Sequence, residues 1–330
     1  MRVTTLDYHT AGEPLRIVTG GLPDIPGDSM LARRRFMREN LDHYRRFLML
    51  EPRGHADMYG AVLTPPVTAD GDVGVLFLHN EGYSTMCGHG IIALVTAGLE
   101  HGLFEFADPK AVQIDTPAGR ITSNARQNSA GKVESVSFVN VPSFVLHPHH
   151  CIVIDGRSIE CTIAFGGAFY AYVDAEQFGF ELVPEEAQQM IQLGQKIKNT
   201  INDQQIIRHP TGDEELNFLY GTIFVRQQKR PNHSRNACVF AAGELDRSPT
   251  GTGVSGRAAI HHSRGELELG EELEIDSFIG TSFRVRCVSE TRAGDFPAVV
   301  PEVTGSAHIC GEYSFILDNS DPLRNGFLVR

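Results

Sequence analysis

A chain of 330 residues is long enough for one large domain or two of ordinary size. Its 41% hydrophobic content and 33 glycines fit a loop-rich globular protein and exclude a disordered one. A formal net charge of −12 argues against nucleic acid or an anionic membrane surface as a partner, although a helix terminus still attracts a small anion locally.

The first stretch, MRVTTLDYHTAGEPLRIV, lacks the basic region and apolar core of a secretory leader. No apolar run approaches the ~20 residues that a membrane span requires. Cysteines at 87, 151, 161, 238, 287 and 310 form no CxxC pair and no dense framework. That usage points to a reducing, cytoplasmic setting.

Short runs rich in Val, Ile, Phe and Tyr predict strands along the whole chain, among them LRIVTGG, GAVLTPPV, GVLFLHN, TIAFGGAFYAYVD, YGTIFVR and NACVFAA. Met30, Met37, Leu41, Tyr44 and Leu48 lie at helical spacing. They predict one helix over 29–49, capped by Ser29, with arginines 33, 34, 35, 38, 45 and 46 on a solvated face. GHGIIALVTAGLEHG (88–102) is apolar on nearly every side, which marks a buried central helix. HPHHC (147–151) reads as a polar loop rather than a metal site. The chain is expected to divide near 146–156. PEEAQQMIQLGQKIK (184–198) reads as a surface helix, its acids early and its lysines late. GTGVSGRAAIHHSRGEL (251–267) is a small-residue-rich helix suited to close packing inside a sheet. A strand, glycine-rich turn and helix thus occur twice, at Cys87 and at Thr250. The expected organisation is an α/β protein with a first half over 1–150 and a second over 151–309, the segment of about 310–330 returning to the first.

Cys87 falls at the start of its helix, where unpaired N–H groups and the positive dipole end favour a thiolate and lower the thiol pKa. A thiolate there, beside glycines, is a nucleophile or a proton-abstracting base. His89 could orient the sulfur, bind a carboxylate or cap the helix; a zinc pair with Cys87 has the wrong spacing. GTGVSG (251–256) satisfies G-x-G-x-x-G, but it comes late and lacks the acidic strand end that dinucleotide binding needs. The better reading is that backbone N–H groups of 251–253 bind a carboxylate, with Asp246 as an amine ligand or a turn residue. Two such helix starts would hold a small amino-acid carboxylate and stabilise the charge that develops as a Cα proton leaves. No cofactor and no metal are needed for this chemistry.

MCGHG (86–90), DRSPTGTG (246–253), RGHADMYGAV (53–62), FGGAFYA (165–171) and PEVTGSAHICG (301–311) together resemble the proline racemase family, and the likeness covers nearly the whole chain. The resemblance implies a diaminopimelate-epimerase-like fold: two similar halves, each a curved, mostly antiparallel sheet around a central helix, with the site in the cleft between them. It implies a homodimer acting on a small imino acid. Family racemases and epimerases use two cysteines, the first matching Cys87. The second belongs at 250, where this chain has threonine, as does the trans-3-hydroxy-L-proline dehydratase branch. By the same match Gly88, His89, Gly251 and Thr252 bind the carboxylate and Asp246 the ring amine. His55 and Asp57 are expected near the pocket without an assigned role. Phe165 is read as a ring-side wall or a core residue, and His233 as a surface histidine. A threonine hydroxyl is a poor proton donor to a carbanion, so inversion should fail and a 3-hydroxyl should be expelled instead. The alternative is a 4-hydroxyproline epimerase or a proline racemase.

Overall fold

The structure is a computed structural model that describes residues 2–210, 212 and 214–329. By contacts it divides into two units, one running to Phe138 and resuming at Gly305, the other spanning Val139–Thr304.

In the first unit, strand Arg2–Thr10 pairs antiparallel with Glu13–Gly20 on one side and with Ala307–Ile316 on the other. Glu13–Gly20 continues in parallel to Tyr59–Thr64, then antiparallel to Val73–His79. Val73–His79 pairs in parallel with Val112–Thr116, which turns back as Gly119–Gln127. Helix α3 (Gly88–His101) packs against the strands Arg2–Thr10, Glu13–Gly20 and Ala307–Ile316. Every residue of it from Gly88 to Gly98 is buried, so its uniformly apolar surface follows from its central position.

The helix expected over 29–49 is two: α1 (Met30–Asn40) and α2 (Asp42–Met49), broken at Leu41 with φ −125° and ψ 14°. Ser29 does cap the first, its Oγ accepting from the Ala32 N–H at 3.1 Å. The arginine face is not uniformly solvated. Arg45 is buried, bonded to Asp42 and to the carbonyl of His79, and Arg34 holds the carbonyl of Tyr83. Both arginines thereby bond backbone carbonyls of the sheet rather than solvent.

In the second unit each strand pairs with the next: Ser143–Ile154, Arg157–Phe165, Phe169–Asp174, Leu219–Gln227, His233–Phe240, Glu272–Ser277, Ser282–Ala293 and Phe296–Gly305. The last returns to the first through Ala298 opposite Phe144, so this sheet closes on itself. Helix α5 (Gly251–Ser263) packs against strands Ser143–Ile154, Arg157–Phe165 and Ser282–Ala293, buried from Gly251 to Ile260. Helix α4 (Ala187–Asp203), preceded by a 3-10 turn at Pro184–Glu186, covers Leu219–Gln227 and His233–Phe240. It buries Met190, Ile197 and Ile201, so its inner stripe is core and only its outer face meets water. Residues 147–151 are strand, not loop: the stretch 146–156 is the hairpin joining Ser143–Ile154 to Arg157–Phe165.

Candidate active site

The first constellation begins where Val73–His79 ends. A short return at Tyr83–Ser84 brings the chain to Cys87, extended at φ −146° and ψ 111°, as N-cap of α3. Its Sγ accepts the Gly90 N–H at 3.3 Å and lies 3.2 Å from His89 Nδ1. Both are contacts a thiolate accepts, the second when Nδ1 carries the ring proton. A Cβ on Gly90 would stand 2.5 Å from the Phe77 ring and 3.1 Å from the sulfur, so glycine is required there. The Thr10 hydroxyl donates to the His89 carbonyl at 2.8 Å, and the His89 ring meets Tyr59 edge-on at 4.9 Å. Cys87 is 6% exposed and Gly88 and His89 are buried with it. Two further buried thiols are suited to an inert core: burial alone pushes Cys287 up to about 11 and leads the rise of Cys161 to about 12.

The second constellation is built on the hairpin from His233–Phe240 to Glu244–Leu245. Asp246 follows, and its Oδ1 accepts the Ser248 N–H at 2.8 Å, an Asx turn. Its Oδ2 accepts the Thr250 hydroxyl at 2.8 Å, while the Thr250 N–H donates to Ser248 Oγ at 3.1 Å. Thr250 has φ +70° and ψ 101°, a backbone state that a β-branched residue adopts only under constraint. Its side chain makes no cap bond to α5. The first turn of α5, Gly251, Thr252 and Gly253, is held instead from behind. Tyr172 donates to the Gly253 carbonyl at 2.8 Å, Ser255 Oγ to the Gly251 carbonyl at 2.9 Å, and Asn140 Nδ2 to Ser255 Oγ at 2.8 Å.

Phe165 belongs to an aromatic core with Phe144, Phe169 and His209. His55 is exposed and Asp57 is buried with φ +64°. His233, Glu274 and Asp276 have the spacing of a metal triad among the described residues. Their ligating atoms are already engaged: His233 with Asp276 at 2.8 Å, Asp276 with Ser282 at 2.7 Å, and Glu274 with Arg230 at 3.0 Å. Sequence reasoning missed Ser248, Tyr170, Tyr172 and Asn140. The Asp-x-Ser of an Asx turn and the alternation of two tyrosines on one strand face were the available signals.

The proline racemase family model matches residues 5–328. A trans-3-hydroxy-L-proline dehydratase from Colwellia psychrerythraea is 46% identical over 100% of this chain and 93% of its own. A protein of the same name from Bacillus thuringiensis subsp. konkukian is 47% identical over 99% and 98%. The crystal structure of a hydroxyproline epimerase from Agrobacterium vitis with bound trans-4-hydroxy-L-proline superposes with a TM-score of 0.89. It is 30% identical and covers 99% of this chain and 96% of its own. The mixed α/β, diaminopimelate-epimerase-like class expected from the motifs is thereby established, and the chain belongs to the proline racemase family.

Proposed function

We infer that this chain is a hydro-lyase that dehydrates trans-3-hydroxy-L-proline to 1-pyrroline-2-carboxylate. The observation that carries this reading is the 2.8 Å bond in which the Thr250 hydroxyl donates to Asp246. With its hydrogen committed to a carboxylate, Thr250 offers a ligand only lone pairs. It has no proton to give to a carbanion, so Cα is not protonated from that residue and inversion has no acid.

In the proposed reaction the Cys87 sulfur takes the Cα proton. The electron pair of that C–H bond becomes the Cα–C3 double bond as the C3–O bond breaks. The proton held on Cys87 passes to the departing oxygen, giving water and an enamine that tautomerises to the imine. Every step is redox-neutral, Cys87 carries the one proton of the elimination, and the tautomerisation exchanges its proton with water, so no cofactor enters. Gly88, His89, Gly251 and Thr252 hold the carboxylate, through helix N–H groups and the Thr252 hydroxyl. Asp246 keeps a further lone pair on each oxygen for the ring amine. With this goes a cytoplasmic homodimer, supported by the family resemblance and by six free cysteines. No helix among the described residues is long and apolar enough to cross a membrane.

One finding favours a second reading: a 3-hydroxyproline 2-epimerase from Burkholderia multivorans is 46% identical over 99% of this chain and 98% of its own. The test is incubation in heavy water, without added cofactor, with trans-3-hydroxy-L-proline, trans-4-hydroxy-L-proline and L-proline in separate reactions. Imine from the 3-hydroxy compound alone, with no inverted product, is expected. Deuterium at an inverted Cα would overturn the reading and assign the epimerase.

A further inference from the structure

Thr252 meets a second hydroxyl that the reaction does not use. Tyr170, on strand Phe169–Asp174, is 1% exposed, and its phenol oxygen lies 2.8 Å from Thr252 Oγ1. Two hydroxyl hydrogens share this single contact, so one of them bridges the oxygens and the other is spare. Burial holds the Tyr170 phenol far above its ordinary range, so the ring keeps its proton at any working pH. If Thr252 donated, that buried phenol hydrogen would have no other acceptor among the described residues, a costly arrangement. If Tyr170 donates, the spare hydrogen is on Thr252, which is 7% exposed and stands at the second position of α5. A Cβ on Gly167 would stand 2.9 Å from Thr252 Cγ2, so glycine there leaves room for the threonine methyl.

We propose that Tyr170 is a positioning residue that donates to Thr252 Oγ1 and so aims the Thr252 hydrogen outward, as a donor to the substrate carboxylate. This rests on the assignment of Thr252 to that carboxylate. Without the phenol the Thr252 hydrogen is no longer aimed at the carboxylate, and the charge-assisted bond is weakened.

The test is a double-mutant cycle on the full chain, read as KM and kcat for trans-3-hydroxy-L-proline. Tyr170→Phe is expected to raise KM about 10-fold, the size of one charge-assisted bond, with a change in kcat below about 3-fold. Thr252→Val should raise KM at least as much. The double variant should be no worse than Thr252→Val, because both changes remove the same donor. A generally structural tyrosine would instead add its loss to the other. The comparison of Thr252→Val with the double variant, which removes both hydroxyls together, decides the matter even if Tyr170→Phe alone folds poorly. Unchanged KM in Tyr170→Phe, or a double variant distinctly worse than Thr252→Val, overturns the role of Tyr170 alone. Unchanged KM in Thr252→Val overturns the carboxylate assignment, and the role of Tyr170 falls with it.

Discussion

The starts of α3 and α5 answer one structural problem in opposite ways. Cys87 caps its own helix: its sulfur takes the Gly90 N–H, and the backbone is ordinary extended chain. Thr250 turns from its helix to Asp246, leaves the first amides of α5 uncapped by a side chain, and holds φ +70° to do so. One residue is thus surrounded by donors and suited to take a proton. The other has surrendered its hydrogen to a carboxylate and is suited only to accept. Where family racemases have two cysteines, the proposed reaction gives this chain one base and one acceptor, so that the substrate loses a group rather than inverts. The two helices differ along their length too. Both helices bury a histidine, His89 in α3 and most of His261 in α5, but α5 also buries the charged Arg257.

The harshest challenge to this contrast is Cys87→Ala, which should lower kcat/KM for imine formation about 10⁴-fold while the thermal transition stays near that of the parent. Residual activity within tenfold of the parent would remove the thiol from the reaction. Thr250→Cys makes the two helix starts alike. It should create Cα deuteration with inversion in heavy water and depress dehydration; a variant that inverts no proline derivative would refute the account of position 250. Asp246→Asn leaves Thr250 without its anionic acceptor and should cost about 10²-fold in dehydration, measured as kcat/KM.

The difference in buried charge predicts a pH effect on folding. Burial, reinforced by Arg257, depresses His261 from 6.5 to about 4 in the folded chain, despite its bond to Glu266. Between those values the unfolded chain binds the proton and the folded chain does not. Stability should therefore be full above about pH 6.5 and fall, by about 3 kcal/mol, as pH drops toward 4. Urea titrations of the parent and of His261→Leu across that window should diverge, the variant showing the flatter profile. Smallest of all, Ser248→Ala deletes the acceptor of the Thr250 N–H and should cost about 1 kcal/mol in the same assay.

What the sequence disclosed of this site follows from which forces are local. Cys87 and α3 were legible because an extended residue, two glycines and an apolar run specify a capped, buried helix without help from distant parts. The break at Leu41 was not, since hydrophobic spacing continues across it and only the backbone angles change. Arg45 reads as a surface residue by composition, and its burial depends on the carbonyls that happen to face it. The bond from Thr250 to Asp246 escaped for a similar reason: it is made with Thr250 itself at positive φ, and threonine is a poor advertisement for that backbone state. Tyr170 touches Thr252 only because one sheet closes around α5, a long-range fact that no spacing encodes.

The strand Ala307–Ile316 lies along Arg2–Thr10, with Arg2 opposite Ile316. A ribosome adding about 5–20 residues per second delivers the first of these strands long before the last. The unit spanning Val139–Thr304 is continuous in sequence, with its closing strand pair inside it, and can complete itself while synthesis continues. The unit that holds Cys87 must instead wait with one edge of Arg2–Thr10 open until the final stretch emerges. Helix α3 is therefore made early and covered late on the side that meets Ala307–Ile316, and for that interval part of its apolar surface stays open.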